Sequence, residues 1–229
     1  FGGTGGTVTV DNGNGQVSAS GMQFETDGYH LVGGDIALTG GASSIRVGDG
    51  TGAGTAMTAT IDNALAGSGM LVKDDLGTLV LNGANTYTGG TTVKAGTLQV
   101  SGDANLGAAT GSLSIDGGTL HTTASFQSNR TIGLGGAATF DTDAATTLAL
   151  SGDVSGSGSL TKTGDGTLAL SGASSYGGAT TVAGGTLGAG AVNAFNAASA
   201  FTVRNGATLE LGGFSQHVAA LANAGTVNF

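Results

Sequence analysis

Residues 67–100 and 156–189 lie on one another at a constant offset of 89 residues, with 19 identities in 34 positions. A shorter period runs inside the long one. A Gly-Thr-Leu or Gly-Thr-Val step recurs at Gly77, Gly96, Gly118, Gly166, Gly185 and Gly225, spaced by 19 residues at 77–96, by 22 at 96–118 and by 19 at 166–185. A period near 20 residues is that of a solenoid, in which each repeat is too small to bury its own apolar face and buries it against its neighbours.

The residues after each glycine decide between helix and strand. Thr78-Leu79-Val80-Leu81, Thr97-Leu98-Gln99-Val100, Thr167-Leu168-Ala169-Leu170 and Thr208-Leu209-Glu210-Leu211 set a leucine or valine at every second position. That alternation, rich in β-branched residues and bounded by Gly and Asn, marks a short strand with one buried face. The segments NGAN (82–85), DGG (116–118), RNG (204–206) and NAG (223–225) supply residues that tolerate positive φ at sharp corners. The expected fold is all-β: a right-handed parallel β-helix of about ten or eleven coils, one segment over 1–229 with internal repeats at 67–100 and 156–189. Coils stacked at ~4.8 Å make a rod on the order of 50 Å long, and the handedness follows from the rule for parallel crossovers.

Composition agrees with that fold and removes several others. The chain has 47 Gly, no Pro, no Cys and no Trp, with 39% hydrophobic and 9% charged residues. Disordered chains are usually charged and poor in apolar residues, so this one is expected to fold. Without Pro and without Gly at every third position it is not collagen. Pro is unwelcome in a strand whose every N–H joins a ladder. Phe24, Phe126, Phe140, Phe195, Phe201 and Phe214 are expected in core or corner stacks, and Tyr87 and Tyr176, equivalent in the repeat, at a recurring corner. No stretch is long and apolar enough to span a bilayer. Residue 1 opens directly into FGGTGGTVTV, so the chain reads as a processed or excised piece.

The search for chemistry returns little. Six Lys and Arg against 15 Asp and Glu give a net charge of -9, and the cations Arg46, Lys73, Lys94, Arg130, Lys162 and Arg204 stand singly. Nucleic acid needs clustered cations and is not an expected partner. His30, His121 and His217 have no second ligand at metal spacing in the same strand and read as surface residues. Nucleophile elbow, P-loop and dinucleotide fingerprint are all absent. Asp141 and Asp143 share a strand face, which would suit Ca²⁺ or a carboxylate dyad, and Asp74 and Asp75 are adjacent. No calcium nonapeptide repeats, however, and the second copy has Thr163 and Gly164 in place of Asp74 and Asp75, so all four read as solvated turn carboxylates. Asp74, Asp75, Asn85 and Lys94, which the copies do not share, are assigned to the polar exterior. An ice-binding face would need paired threonines on every coil; TVT at Thr7, TAT at Thr58 and TKT at Thr161 do not recur with the period.

The long repeats, GSGMLVKDDLGTLVLNGANTYTGGTTVKAGTL (67–98) and GSGSLTKTGDGTLALSGASSYGGATTVAGGTL (156–187), resemble the passenger-associated transport repeat of bacterial autotransporters. The first copy departs from that pattern at Asp75 and Leu76, where a glycine turn is usual, and the second at Ser174, where Asn is usual. The flanks, such as MQFETDGYHLVGGDIALTG (22–40) and ANAGTVNF (222–229), are similar to passenger sequence. The resemblance implies the C-terminal part of a type V secreted passenger at a Gram-negative cell surface. Its implied partners are the protein's own C-terminal outer-membrane β-barrel and, for an adhesin or autoaggregation factor, a host surface or a second passenger. It implies a stalk that supports export, with no catalytic, cofactor-binding or metal-binding residue, no cofactor, and binding residues unassigned. Two alternatives stay open: an adhesive or self-associating outer face, and a glycan-active enzyme built on Asp141, Asp143, Asp153 and a basic residue.

Overall fold

A glycine followed by alternating Thr and Leu starts a strand at nearly every step of the period. In Thr78–Leu81 the side chains of Leu79 and Leu81 are buried while Thr78 and Val80 face outward, and Thr97–Val100, Thr147–Leu150 and Thr167–Leu170 repeat the alternation. The computed structural model, which describes residues 1–229, consists of 27 short strands and two 3-10 turns, Gly52–Ala56 and Asp103–Leu106. It divides into two units, Phe1–Leu113 and Ser114–Phe229.

In the first unit three parallel ladders enclose the core. One joins Thr7–Val10, Tyr29–Gly33, Thr58–Ile61, Thr78–Leu81 and Thr97–Val100. A second joins Val17–Ala19, Ile36–Leu38 and Leu65–Gly67, and a third Gly21–Phe24, Ala42–Val47, Met70–Asp74 and Thr91–Val93. The chain passes from ladder to ladder and returns one strand further along, so the unit is a β-solenoid of five turns. The second unit has six turns, counted on Thr119–Thr122, Ala137–Thr142, Ser159–Thr163, Thr180–Val182, Ala200–Val203 and Ala220–Asn223. Beside them run Phe126–Ser128, Thr147–Leu150, Thr167–Leu170, Thr186–Ala189, Thr208–Glu210 and Thr226–Asn228, with Ile132–Leu134 and Val154–Gly156 on the remaining side.

Register places like on like. Leu148, Leu168, Leu187 and Leu209 pair in succession, each at most 2% exposed, so one inward column is continuous leucine. Burying such side chains stabilises by about 1.5–3 kcal/mol each. Hydrogen bonding continues through the corners: Lys94 N donates to Lys73 O (2.9 Å), Asn82 N to Ile61 O (3.0 Å) and Thr97 N to Gly77 O (3.1 Å).

Two expectations need correction. Phe24, Phe140, Phe195 and Phe201 are buried, but Phe126 is only half-buried and Phe214 is 38% exposed. Phe126 lies on the first strand of its ladder and is covered from one side only, and Phe214 follows Gly212 and Gly213 in a turn outside the strands. Of the four corner segments, only DGG and RNG use positive φ, at Gly117 and Gly206. Gly83 and Gly225 are needed for closeness instead: a Cβ there would stand 2.2 Å from Asn63 O and 2.3 Å from Ala207 O.

Candidate functional site

The corner that follows the lysine of each repeat is built around a buried ammonium. Lys73 is the fourth residue of Met70–Asp74, where Leu71 and Lys73 point inward, and its side chain is fully buried. Its Nζ donates to Asp74 O (2.9 Å) and Asp75 O (2.7 Å) in its own corner and to Ala95 O (3.1 Å) in the next turn. Lys162, also fully buried, donates to Thr163 O, to Gly164 O (2.9 Å) and to Gly184 O (3.3 Å). An ammonium has three protons, and here three carbonyls receive them. Burial pushes both amines down to about 8; Asp74 and Asp75 oppose the shift at Lys73, Asp141 and Asp165 at Lys162.

Asp75 and Asn85 therefore do not belong to the exterior, where the reading of unshared residues placed them. Asp75 is 8% exposed and Asn85 5%, whereas Asp74 is half-buried and Lys94 exposed. Asp75 has φ +66°, the same left-handed conformation as its counterpart Gly164 at φ +69°, so the irregular first copy keeps the turn without the glycine. It has room because Gly48 lies against it: a Cβ on Gly48 would be 2.7 Å from the Asp75 carboxyl carbon. Its Oδ1 accepts from Leu76 N (2.8 Å) and its Oδ2 faces Arg46 Nη2 at 3.3 Å. Around Gly164 the preceding turn leaves no such space, since a Cβ there would meet Thr142 O at 2.3 Å and Asp141 Oδ1 at 2.4 Å.

Beyond the corner, both copies bury a tyrosine hydroxyl against a threonine four residues on: Tyr87 to Thr91 Oγ1 and Tyr176 to Thr180 Oγ1, both at 2.6 Å. Thr91 Oγ1 also donates to Leu106 O (3.1 Å), and Thr180 Oγ1 meets Ser199 Oγ (2.9 Å). Burial raises the Tyr176 phenol, against the hydrogen bonds to Thr180 and Ser199. Asn85 Oδ1 accepts from Leu65 N (2.7 Å). In the second copy the matching Val154 N bonds Ala173 O (2.8 Å) instead, and Ser174 Oγ is buried without a partner.

The outward residues form pairs rather than a site. His30 Nε2 lies 2.6 Å from Asp62 Oδ2, and Asn82 Nδ2 donates to Asp62 Oδ1 (2.7 Å); this amide bond, ahead of the histidine and against partial burial, lowers the Asp62 carboxyl below its usual range. His121 Nε2 lies 2.8 Å from Asp143 Oδ1, and His217 is exposed. Both pairs join residues of neighbouring turns, 32 and 22 apart in sequence, so neither lies within one strand. Asp141 shares its strand's outward side with His121 across the ladder, while Asp153 precedes Val154 on another ladder and accepts from Ala173 N (3.2 Å). The three carboxylates do not meet in one groove, and no group of three or more His, Asp or Glu is arranged to hold a metal ion. Of fifteen carboxylates only Asp75 is buried, but of six cations Lys73, Arg130 and Lys162 are, so the surface is more acidic than the sequence total suggests. Threonine does recur once per turn in the second unit, as Thr139, Thr161, Thr181, Thr202 and as Thr147, Thr167, Thr186, Thr208, Thr226. Beside the latter column stand Ala149, Ala169, Gly188 and Glu210, so paired threonine ranks are not formed.

Residues 71–100 and 160–189 each match the passenger-associated-transport-repeat family. The adhesin BmaC autotransporter of Brucella suis biovar 1 (strain 1330) is 56% identical over 156 residues, which cover 68% of this chain and 5% of that relative. The chain thus spans a small fraction of the length of the curated relative it matches. No solved structure matches. Two buried repeats of the transport type on a turn-by-turn β-solenoid, and more than half of the residues shared with an autotransporter over the aligned stretch, make this chain a segment of an autotransporter passenger.

Proposed function

We propose that this stretch is a structural segment of a surface-displayed adhesin passenger: it adds length turn by turn, and its folding outside the cell helps draw the chain across the outer membrane. The observation that carries this reading is where the repeated identities lie. Leu71, Lys73, Leu79, Leu81, Tyr87, Val93 and Leu98, with their counterparts 89 residues on, are all buried. What is repeated is thus the means of stacking one turn on the next, and stacked nearest-neighbour units can fold progressively. With no cysteine, no disulfide can form to stop the chain during passage. In this reading the full-length protein is anchored through its own C-terminal outer-membrane β-barrel, and the passenger meets a host surface or a neighbouring passenger. The relative's name, an adhesin, supports a non-enzymatic role.

Leu168→Asp and Thr167→Asp in the full-length protein, expressed in the producing bacterium, test the reading. Leu168 is inward and Thr167 outward on the same strand. Leu168→Asp should abolish surface display measured by antibody binding to intact cells, and Thr167→Asp should leave display and adhesion as they are. Normal display with Leu168→Asp would refute the folding role. Lost adhesion with intact display in Thr167→Asp would move the function to the threonine face.

A further inference from the structure

The buried lysines have a peculiarity that export does not require. Lys73 pairs in register with Ile45 in the turn before and Val93 in the turn after, and Lys162 with Phe140 and Val182. All four neighbours are fully buried. The rung is apolar on both sides, and lysine methylenes merely fill it. The charge is spent on the corner: two carbonyls of the lysine's own corner and one of the next turn, at Ala95 or Gly184. Each of these last residues precedes a left-handed glycine, Gly96 or Gly185, whose Cβ position lies 2.5 or 2.4 Å from the carbonyl of the corner below. The ammonium therefore has its three acceptors only when two successive left-handed corners are stacked one on the other.

A stack of near-identical strands has a register problem. A one-residue slip exposes the core and is self-correcting, but a two-residue slip keeps every Leu inward and every Thr outward. In strands reading Leu-Thr-Lys or Thr-Leu-Ala-Leu, the apolar pattern opposes such a slip only weakly. A buried ammonium opposes it, because its own two corner carbonyls travel with it while the third acceptor, the Ala95 or Gly184 carbonyl of the next turn, moves out of reach, and a buried charged donor left without a partner is a costly defect in a core.

We propose that Lys73 and Lys162 are register determinants: each buried ammonium recognises the correctly stacked corner of the following turn and excludes the two-residue slip. The chemistry is the cradling of a primary ammonium by three backbone carbonyls, and its partner is the next turn of the same chain. Polar core groups that fix register at a cost in stability are known from coiled coils.

Because the chain has no cysteine, register can be read by cross-linking in the whole 229-residue protein. Thr161 and Thr181 are outward and directly paired; a two-residue slip of that rung brings Ala183 opposite Thr161 instead. Thr161→Cys/Thr181→Cys reports the native register and Thr161→Cys/Ala183→Cys the slipped one, each with Lys162 and with Lys162→Met. After refolding and mild oxidation, the lysine background should link almost only the 161–181 pair. Lys162→Met should raise linking of the 161–183 pair at least about tenfold, with an unfolding midpoint close to that of the parent, because the lost charge penalty is offset by three carbonyls left without a donor. Slipped-pair linking as rare in Lys162→Met as in the parent overturns the proposal. So does a Lys162→Met chain that links neither pair above a denatured control, since the lysine would then be a stabiliser of the fold and not a selector of register.

Discussion

Titrating the chain from pH 7 to pH 10 tests how the interior treats its two ammonium groups. Burial brings Lys73 and Lys162 from 10.5 down to about 8, so between those values the unfolded chain holds protons that the folded chain has released. Stability rises with pH wherever the unfolded state binds more protons. Below about pH 8 both states are protonated and the full penalty is present; it is relieved progressively up to about pH 10.5. The gap between 10.5 and about 8 corresponds to about 3 kcal/mol per lysine. The two together should gain about 6 kcal/mol at most, of which somewhat more than half is reached by pH 9.5. The groups facing these amines are Asp74 and Asp75, with Arg46 beside Asp75, and Asp141 and Asp165. Tyr176 acts the other way: its raised phenol keeps a proton that the unfolded chain loses above pH 10, so stability falls there and the informative window is pH 8 to 10. Urea midpoints followed by far-UV circular dichroism at pH 7.5, 8.5 and 9.5 should rise in the parent, about half as much in Lys73→Met or Lys162→Met, and not at all in the double variant. A flat or falling midpoint in the parent, or an undiminished rise in the double variant, would refute the reasoning.

Two further outcomes are expected in thermal and chemical melts. Gly48→Ala drives a methyl group to within 2.7 Å of the Asp75 carboxyl at a positive-φ position, costing about 2 kcal/mol or more. Adding Asp75→Gly should recover part of that loss, whereas strictly additive losses would mean that the two corners are not coupled. Leu79→Asp should prevent folding altogether, because an unpaired charge would replace a fully buried side chain; Thr78→Asp on the outward side should change stability by less than about 0.5 kcal/mol, and similar circular dichroism spectra for the two would contradict the assigned faces.

The ladder, the number of turns and the inward leucines were legible in the sequence because each depends on local signals: alternation at period two, glycine punctuation and a constant step. The lysine interior was legible too, in principle. Leu71 and Lys73 are two apart on one strand, as are Leu160 and Lys162, so the parity that sends the leucines inward sends the lysines with them. A residue-by-residue habit of placing charge outside hides that signal. Asp75 and Asn85 could not be placed in the same way. Asp75 is inside because Gly48, 27 residues earlier, leaves a space, and Asn85 because Leu65 N, a turn earlier, needs an acceptor. The His30–Asp62 and His121–Asp143 pairs, 32 and 22 residues apart, depend on register between neighbouring turns of different length, since His30 pairs with Thr60 and His121 with Asp141. No single-strand pattern encodes such a distance.

Why an interior that could be wholly apolar holds lysine is answered by its neighbours. Ile45, Val93, Phe140 and Val182 occupy the same rung in adjacent turns and are fully buried there. The rung accepts any apolar side chain from valine to phenylalanine. Against a total stability on the order of 5–15 kcal/mol for a folded domain, a charge penalty of about 3 kcal/mol at each lysine is large; methionine would remove it but leave three corner carbonyls without a donor, at about 1 kcal/mol or more each. The two terms roughly offset, so lysine at this position brings little net stability below pH 8. What lysine has and methionine lacks is a directional demand for three carbonyls, and only the native stacking of two left-handed corners provides them. A chain built from near-copies of itself carries many apolar pairings of similar energy, and a costly group that tolerates one of them separates the native register from the rest.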